Sequence, residues 1–341
     1  MRAAVFREMS RPLVIETVAE PVPGPRDLIL RVKDCGICGS DLHMTEPASV
    51  MPLPSGAIMG HEFAGEVVAQ GKDVTGWKTG DRAAGFPFLC CGEQAPCPTF
   101  SGARAMCSKG MGVGLGQVPG AYAEFVRISS LGAYRLPDSV SFREGAMVEP
   151  LAVGLHAVDM ARMERGATVL VIGAGPVGLA TMLWAKFLGA HHVIVSERAE
   201  VRRGMAAKFG ATDAVDPSLP LTPQVEKIAG HGPDIIFECV GAPGLINMAI
   251  MDAPRHAKIV IAGVCQQPDT IMPLMGIVKE LNLQFVFGYR PADFDYVIAM
   301  IASDRVDVAH MVTDIVDLAG LPSAFEALRQ PTHQCKVMLE N

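Results

Sequence analysis

The stretch TVLVIGAGPVGLA, residues 168–180, constrains this chain more than any other. The apolar run 168–173 has the length of a buried strand and closes on Gly173, Gly175 and Gly178, after which 176–189 carries a helical period. A strand, a glycine-rich turn and a helix in that order predict the start of a doubly wound parallel sheet. The segments that follow repeat the alternation. HVIVSE (192–197), ATDAVD (211–216), DIIFECVG (234–241), AKIVIAGV (257–264) and LQFVFGY (283–289) read as further strands with helical stretches among them. The fold class expected here is an α/β Rossmann-type sheet.

Each glycine has a separate task in such a turn. Gly173 permits the tight bend, Gly175 lets the backbone approach a pyrophosphate, and Gly178 lets the helix pack closely. The helix start, where Pro176 fixes the first turn and Val177 follows with a free N–H, then faces the phosphates with unpaired N–H groups and its positive dipole end. The next strand ends at Glu197, whose carboxylate can accept from a ribose 2′-hydroxyl and repels a 2′-phosphate. That favours NAD. Arg198 beside it could accommodate the extra phosphate of NADP, and with Arg202 it completes the candidate cofactor set.

The first 150 residues read differently. They are rich in Gly and Pro, with alternating strands such as LILRVKDCG (28–36) and EFAGEVVAQG (62–71), as in a mostly β domain with long loops. The tail adds helical patterns at 292–303 and 321–329 and a strand-like QCKVMLE (334–340). A chain of 341 residues suits two cores. Its net charge of −7, with no basic stripe, argues against nucleic acid as a partner. The most apolar stretch, 167–195, is interrupted by glycines, Pro176 and Lys186, so no membrane span or membrane partner is expected. The N-terminal residues lack the apolar core of a signal peptide, and nine cysteines then suggest metal or catalytic use in the reducing cytoplasm. Cys239, Cys265 and Cys335 lie in or beside apolar runs and read as small core residues.

Three short segments carry metal-ligating types. DCGICGSDLH (34–43) offers Cys35, Cys38, Asp41 and His43, GHEFAGEVVAQG (60–71) offers His61 and Glu62, and MVEPLAVGLHAV (147–158) offers Glu149. The Cys35/Cys38 pair could also be a redox pair, although the thioredoxin-like context is missing. Taken with CGICGSDLH, EPLAVGLHA and VIGAGPVG in that order, Gly60 through Val74 resembles the GHExxGxxxxxGxxV pattern of zinc alcohol dehydrogenases. The chain resembles the medium-chain dehydrogenase/reductase superfamily over essentially its whole length, closest to the sorbitol, threonine and butanediol dehydrogenase branch.

The resemblance implies a GroES-like catalytic domain at 1–150 and 288–341, with a Rossmann NAD-binding domain at 151–287. It implies that Cys38 and His61 bind a catalytic zinc, with Glu62 or Glu149 supplying a third contact, in keeping with three protein ligands and one open position. Ser40 then resembles a relay hydroxyl, and His43 the histidine that passes the proton outward. Asp41 resembles the carboxylate that orients the zinc-binding histidine, with Lys336 as its basic partner. The implied reaction moves hydride between a secondary alcohol or polyol and NAD; the alternative is an NADP-dependent ketone or aldehyde reductase of the same superfamily. The substrate is implied to sit in a cleft with Phe86, Phe88 and Met44 as candidates for one wall, and the protein to be a homodimer or homotetramer.

A second cysteine cluster, FLCCGEQAPCPTF (88–100) with Cys107, falls where many relatives hold a structural zinc. Aligning Cys91 as first ligand puts Gln94, Cys97 and Cys107 at the others. A glutamine is a poor substitute for a thiolate, so the expectation is a remodelled lobe without metal.

Overall fold

The structure is a computed structural model of the whole chain, in which residues 1–90, 99, 109–330 and 333–341 are described. The cysteine lobe at 91, 97 and 107 lies outside the described residues. The chain divides into two compact units, Met1–Glu149 with Arg290–Asn341, and Pro150–Tyr289.

In the first unit β1 (Arg2–Val5) pairs with β2 (Val14–Thr17), and then come β3 (Asp27–Gly36), α1 (Gly39–Met44), β4 (Glu62–Gln70) and β5 (Arg82–Gly85). A small pair, β6 (Phe88–Leu89) and β7 (Met111–Gly112), precedes β8 (Phe125–Ser129), β9 (Ala133–Arg135) and α2 (Phe142–Ala146). The second unit starts within α3 (Val148–Ala161) and continues with β10 (Thr168–Ile172), α4 (Pro176–Phe187), β11 (His192–Ser196), α5 (Glu200–Ala206) and β12 (Asp213–Val215). It ends with α6 (Leu221–Ala229), β13 (Ile235–Glu238), α7 (Leu245–Asp252), β14 (Lys258–Ile261), α8 (Pro273–Lys279) and β15 (Asn282–Phe285). The chain returns to the first unit as α9 (Pro291–Ala302), β16 (Val312–Val316), α10 (Leu321–Ala327) and β17 (Lys336–Glu340).

The second unit is the expected doubly wound sheet. Its strand order is β12-β11-β10-β13-β14-β15, all parallel, so the order reverses beside β10. Every residue of β10 and β13 is buried, which is why these strands are apolar runs and not alternations. Leu170, Ile194, Ile236 and Ile259 meet on one face, and Trp184 is buried with its indole N–H donated to the Leu151 carbonyl at 2.9 Å. Burying each such aliphatic side chain contributes about 1.5–3 kcal/mol.

The first unit is built on a sheet ordered β16-β17-β3-β4-β5-β9, with β8 also on β3. The C-terminal strand β17 therefore lies beside β3, antiparallel to it, with β4 on the other side. Gly36 at the end of β3 stands opposite Glu62 in one ladder and Met338 in the other. This register brings residues of the far N- and C-terminal parts of the chain to one point.

Candidate metal centre and dinucleotide loop

Cys38 is the N-cap residue of α1, and Asp41 in the first turn accepts the Cys38 backbone N–H through Oδ2 at 3.2 Å. The polar run GSD starts this helix and keeps Ser40, Asp41 and His43 within six residues. Gly60, at φ +95°, turns the chain toward β4, and His61 just before that strand and Glu62 at its start are both buried. Cys38, His61 and Glu62 converge: one ligand atom from each lies within 4.8 Å of the others. Glu149 is buried in the first turn of α3 and does not join this group.

Around the triplet the contacts are tight. Asp41 Oδ1 lies 3.3 Å from His61 Nδ1, and both atoms are buried without an aligned hydrogen-bond partner. Burial alone would pull the His61 imidazolium down, but Asp41 and Cys38 outweigh it and hold the ring well above the usual histidine range. Ser40 Oγ lies 3.5 Å from His61 Nε2. His43, half exposed, has Nδ1 3.6 Å from Glu46 Oε1.

Lys336 corrects an expectation. Its ammonium pairs with Glu62, not Asp41, at 2.7 and 2.6 Å from the two carboxylate oxygens, and it also donates to the Ile37 carbonyl at 3.0 Å. Burial would lower its pKa; the Glu62 carboxylate outweighs that and raises it above the usual lysine range. The pair is only 1% exposed on either side. Space for it comes from Gly36, where a Cβ would lie 2.1 Å from Glu62 Oε2. The partner of Asp41 is instead Tyr122, whose O–H donates to Oδ2 at 2.5 Å. Burial, then the charge of Asp41, hold this phenol well above its usual pKa, so it is a donor. Nothing in the sequence marks Tyr122 for this role: in GAYAEFV it looks like one more apolar position.

The expected wall residues lie in the core of the first unit. Met44 belongs to its main hydrophobic cluster, Phe86 packs on Tyr134 and Phe294 with ring centroids 6.4 and 5.1 Å away, and Phe88 is 5% exposed. Of the cysteines read as core, Cys335 is buried, whereas Cys239 and Cys265 are half-buried.

The glycine turn follows β10 as its spacing requires. Gly173 adopts φ +96°, and a Cβ on Gly178 would meet the Gly173 carbonyl oxygen at 2.0 Å. Gly175 differs: nothing lies within 4 Å of where its Cβ would be, so protein packing does not demand a glycine there. Gly175 caps α4, with Pro176 and Val177 as its first helical residues. Glu197 reaches this turn, accepting the Ala174 N–H through Oε2 and the Ala199 N–H through Oε1, both at 2.8 Å. Arg198 is exposed and Arg202 half-buried, while Arg203 donates to the Glu197 carbonyl at 2.7 Å.

Both arrangements fit the groups they resemble sites for. A thiol, an imidazole and a carboxylate within one small volume form a zinc-type donor set, and the unpaired Asp41–His61 contact suits a histidine that is oriented from behind. The open space at Gly175 beside a helix N-terminus suits a pyrophosphate.

Comparison with known proteins agrees. Residues 24–138 match the alcohol dehydrogenase GroES-like domain and residues 176–303 the zinc-binding dehydrogenase domain. Sorbitol dehydrogenase of Bacillus subtilis is 31% identical over 99% of this chain and 97% of its own length. The chain belongs to the zinc-dependent medium-chain dehydrogenase/reductase superfamily. Within it the resemblance is to the sorbitol-dehydrogenase-like branch. The crystal structure of 2R,3R-butanediol dehydrogenase from Bacillus subtilis superposes with a TM-score of 0.88 at 30% identity, covering 100% of this chain and 99% of the other. A zinc-binding dehydrogenase fold from Sinorhizobium meliloti, solved with NADP bound, gives 0.87 at 29% identity over 100% and 99%. Members of this superfamily use zinc and a nicotinamide cofactor. Among the described residues no helix is long and apolar enough to cross a membrane.

Proposed function

We propose that this chain is an alcohol dehydrogenase that interconverts a secondary alcohol or polyol and its ketone, with NAD as the hydride acceptor. The observation that carries the proposal is the convergence of Cys38, His61 and Glu62 beneath the Ser40 hydroxyl in a chain of this superfamily. Cys38 and His61 would hold zinc, and the geometry favours Glu62 over Glu149 as the third contact. Two lysine contacts leave Glu62 lone pairs to spare, because a carboxylate has about four acceptor sites. When bound, zinc supplies Lewis acidity that eases loss of a hydroxyl proton, and the nicotinamide takes the hydride.

The chain's own groups handle the proton. Ser40 is placed to accept it from the substrate hydroxyl and pass it on. His43, three residues along the same helix and half exposed, is the imidazole that can carry it outward to water. Gly173, Gly175, Pro176, Val177 and Gly178 would cradle the pyrophosphate. The Glu197 carboxylate beside that turn supports NAD over NADP, with Arg198 and Arg202 flanking it.

A homodimer is the assembly we favour. In α8 none of the residues is buried, and Ile277 and Leu274 are 72% and 61% exposed; next to it β15 is the sheet edge, followed by Phe287 at 83%. An edge strand can pair antiparallel with its own copy, which makes the surface self-complementary and suits a second copy of the chain as occupant. A thiol ligand at Cys38 suits the reducing cytoplasm as its location. The direct test is a panel of secondary alcohols, polyols and ketones with NAD and NADP, read by nicotinamide absorbance. Turnover of polyols or secondary alcohols with NAD is expected; silence across the panel in zinc-loaded protein would refute the proposal.

A further inference from the structure

We infer that Tyr122 is a positioning residue for the metal centre: its O–H fixes Asp41, which in turn fixes His61. This rests on the reading of Cys38 and His61 as metal ligands. Tyr122 and Asp41 are both fully buried, and the O–H···Oδ2 distance of 2.5 Å is that of a hydroxyl donating to a carboxylate. Oδ2 also takes the Cys38 backbone N–H, so this oxygen is committed to two donors. Oδ1 is left for one partner, His61 Nδ1 at 3.3 Å. A proton held on Nδ1 by Asp41 leaves the lone pair on Nε2, the nitrogen nearer Ser40.

The backbone is built to hold this ring in place. The Tyr122 N–H donates to the Met59 carbonyl at 2.9 Å, and the Tyr122 carbonyl accepts from Ala4 N–H at 2.8 Å. Gly60, next to His61, has no side chain where a Cβ would lie 2.6 Å from the Tyr122 ring. The ring also meets Phe325 edge-on, with centroids 6.5 Å apart. Ring packing alone would be served by phenylalanine, so the hydroxyl is explained by Asp41.

The test uses the zinc-loaded full chain and four variants: Tyr122→Phe, Asp41→Asn, their combination, and Phe325→Leu as a packing control. Two quantities are read, the rate of zinc release to a chelator and the NMR signal of the His61 Nδ1 proton. Tyr122→Phe should release zinc about tenfold faster and shift the His61 signal, as losses behind a ligating histidine do. In the Asp41→Asn background it should add nothing, and Phe325→Leu should lower the melting temperature without changing the release rate. Wild-type release and an unmoved signal in Tyr122→Phe would overturn the inference, as would an undiminished effect in the Asp41→Asn background or equal release from Phe325→Leu. Cys38→Ala separates the two levels. If it keeps zinc, the ligand reading fails and this inference with it; if it loses zinc while Tyr122→Phe does not, only the role of Tyr122 fails.

Discussion

Replacing Lys336 with methionine keeps the side-chain volume and removes the cation of an ion pair that is 1% exposed. Glu62 then remains in the interior without the ammonium that pairs with it, and the Ile37 carbonyl loses its donor. Breaking a buried pair from one side costs about 3–5 kcal/mol, and most of that is the stranded charge. For a unit of about 200 residues, each kcal/mol moves the midpoint by about 2–4 °C, so the melting temperature of Lys336→Met should fall by roughly 6–20 °C. The double variant Lys336→Met/Glu62→Gln strands no charge and should recover at least about 2 kcal/mol of the loss. Urea unfolding of the metal-free protein, with both single variants and the double, measures each corner of the cycle. A Lys336→Met variant within about 1 kcal/mol of the wild type, or a double variant no more stable than the single, would refute the reasoning.

Four other substitutions separate packing, binding and assembly. Gly178→Ala drives a Cβ to 2.0 Å from the Gly173 carbonyl and should destabilise the second unit in thermal unfolding. Gly175→Ala meets no protein atom, so it should leave the melting temperature unchanged yet weaken NAD binding at least about tenfold by fluorescence titration. Glu197→Gln keeps an acceptor for the Ala174 N–H while removing the charge, and the preference for NAD over NADP in kcat/KM should fall about tenfold or more. Ile277→Asp places a charge on the exposed face of α8, and light scattering should show dissociation to monomers with the fold intact by circular dichroism.

Much of this molecule is legible in its sequence, and the remainder is hidden for identifiable reasons. The turn at Gly173, Gly175 and Gly178 can be read because the strand, the three glycines and the helix all lie in one short stretch, with Gly173 needed for its positive φ and Gly178 for its close approach to the Gly173 carbonyl. The ends of the strands cannot. DIIFECVG and LQFVFGY stay apolar past the points where β13 ends at Glu238 and β15 at Phe285. In the first case the Glu238 carboxylate accepts the Val240 and Gly241 N–H groups and bends the chain away. In the second, Phe287 is apolar but 83% exposed, so its character does not report burial in the sheet. Around the candidate metal centre, the local cluster from Cys38 to His43 is visible in one short segment. The Glu62–Lys336 pair spans 274 positions and exists only because β17 and β4 flank β3 in one register. The family resemblance implies Lys336 as the basic partner of Asp41; the ladder gives it to Glu62 instead. Tyr122 escaped for the same cause, since nothing within GAYAEFV tells a donor from another core ring.

The role of Cys38 and its neighbours is tested most directly by metal analysis of freshly purified wild-type protein and Cys38→Ala, with NAD binding and alcohol oxidation followed in parallel. The wild type should carry about one zinc at this centre and lose turnover on chelation. Cys38→Ala should lose that zinc and its activity while still binding NAD through the glycine turn. Purified wild-type protein without zinc, or full turnover in Cys38→Ala, would contradict it.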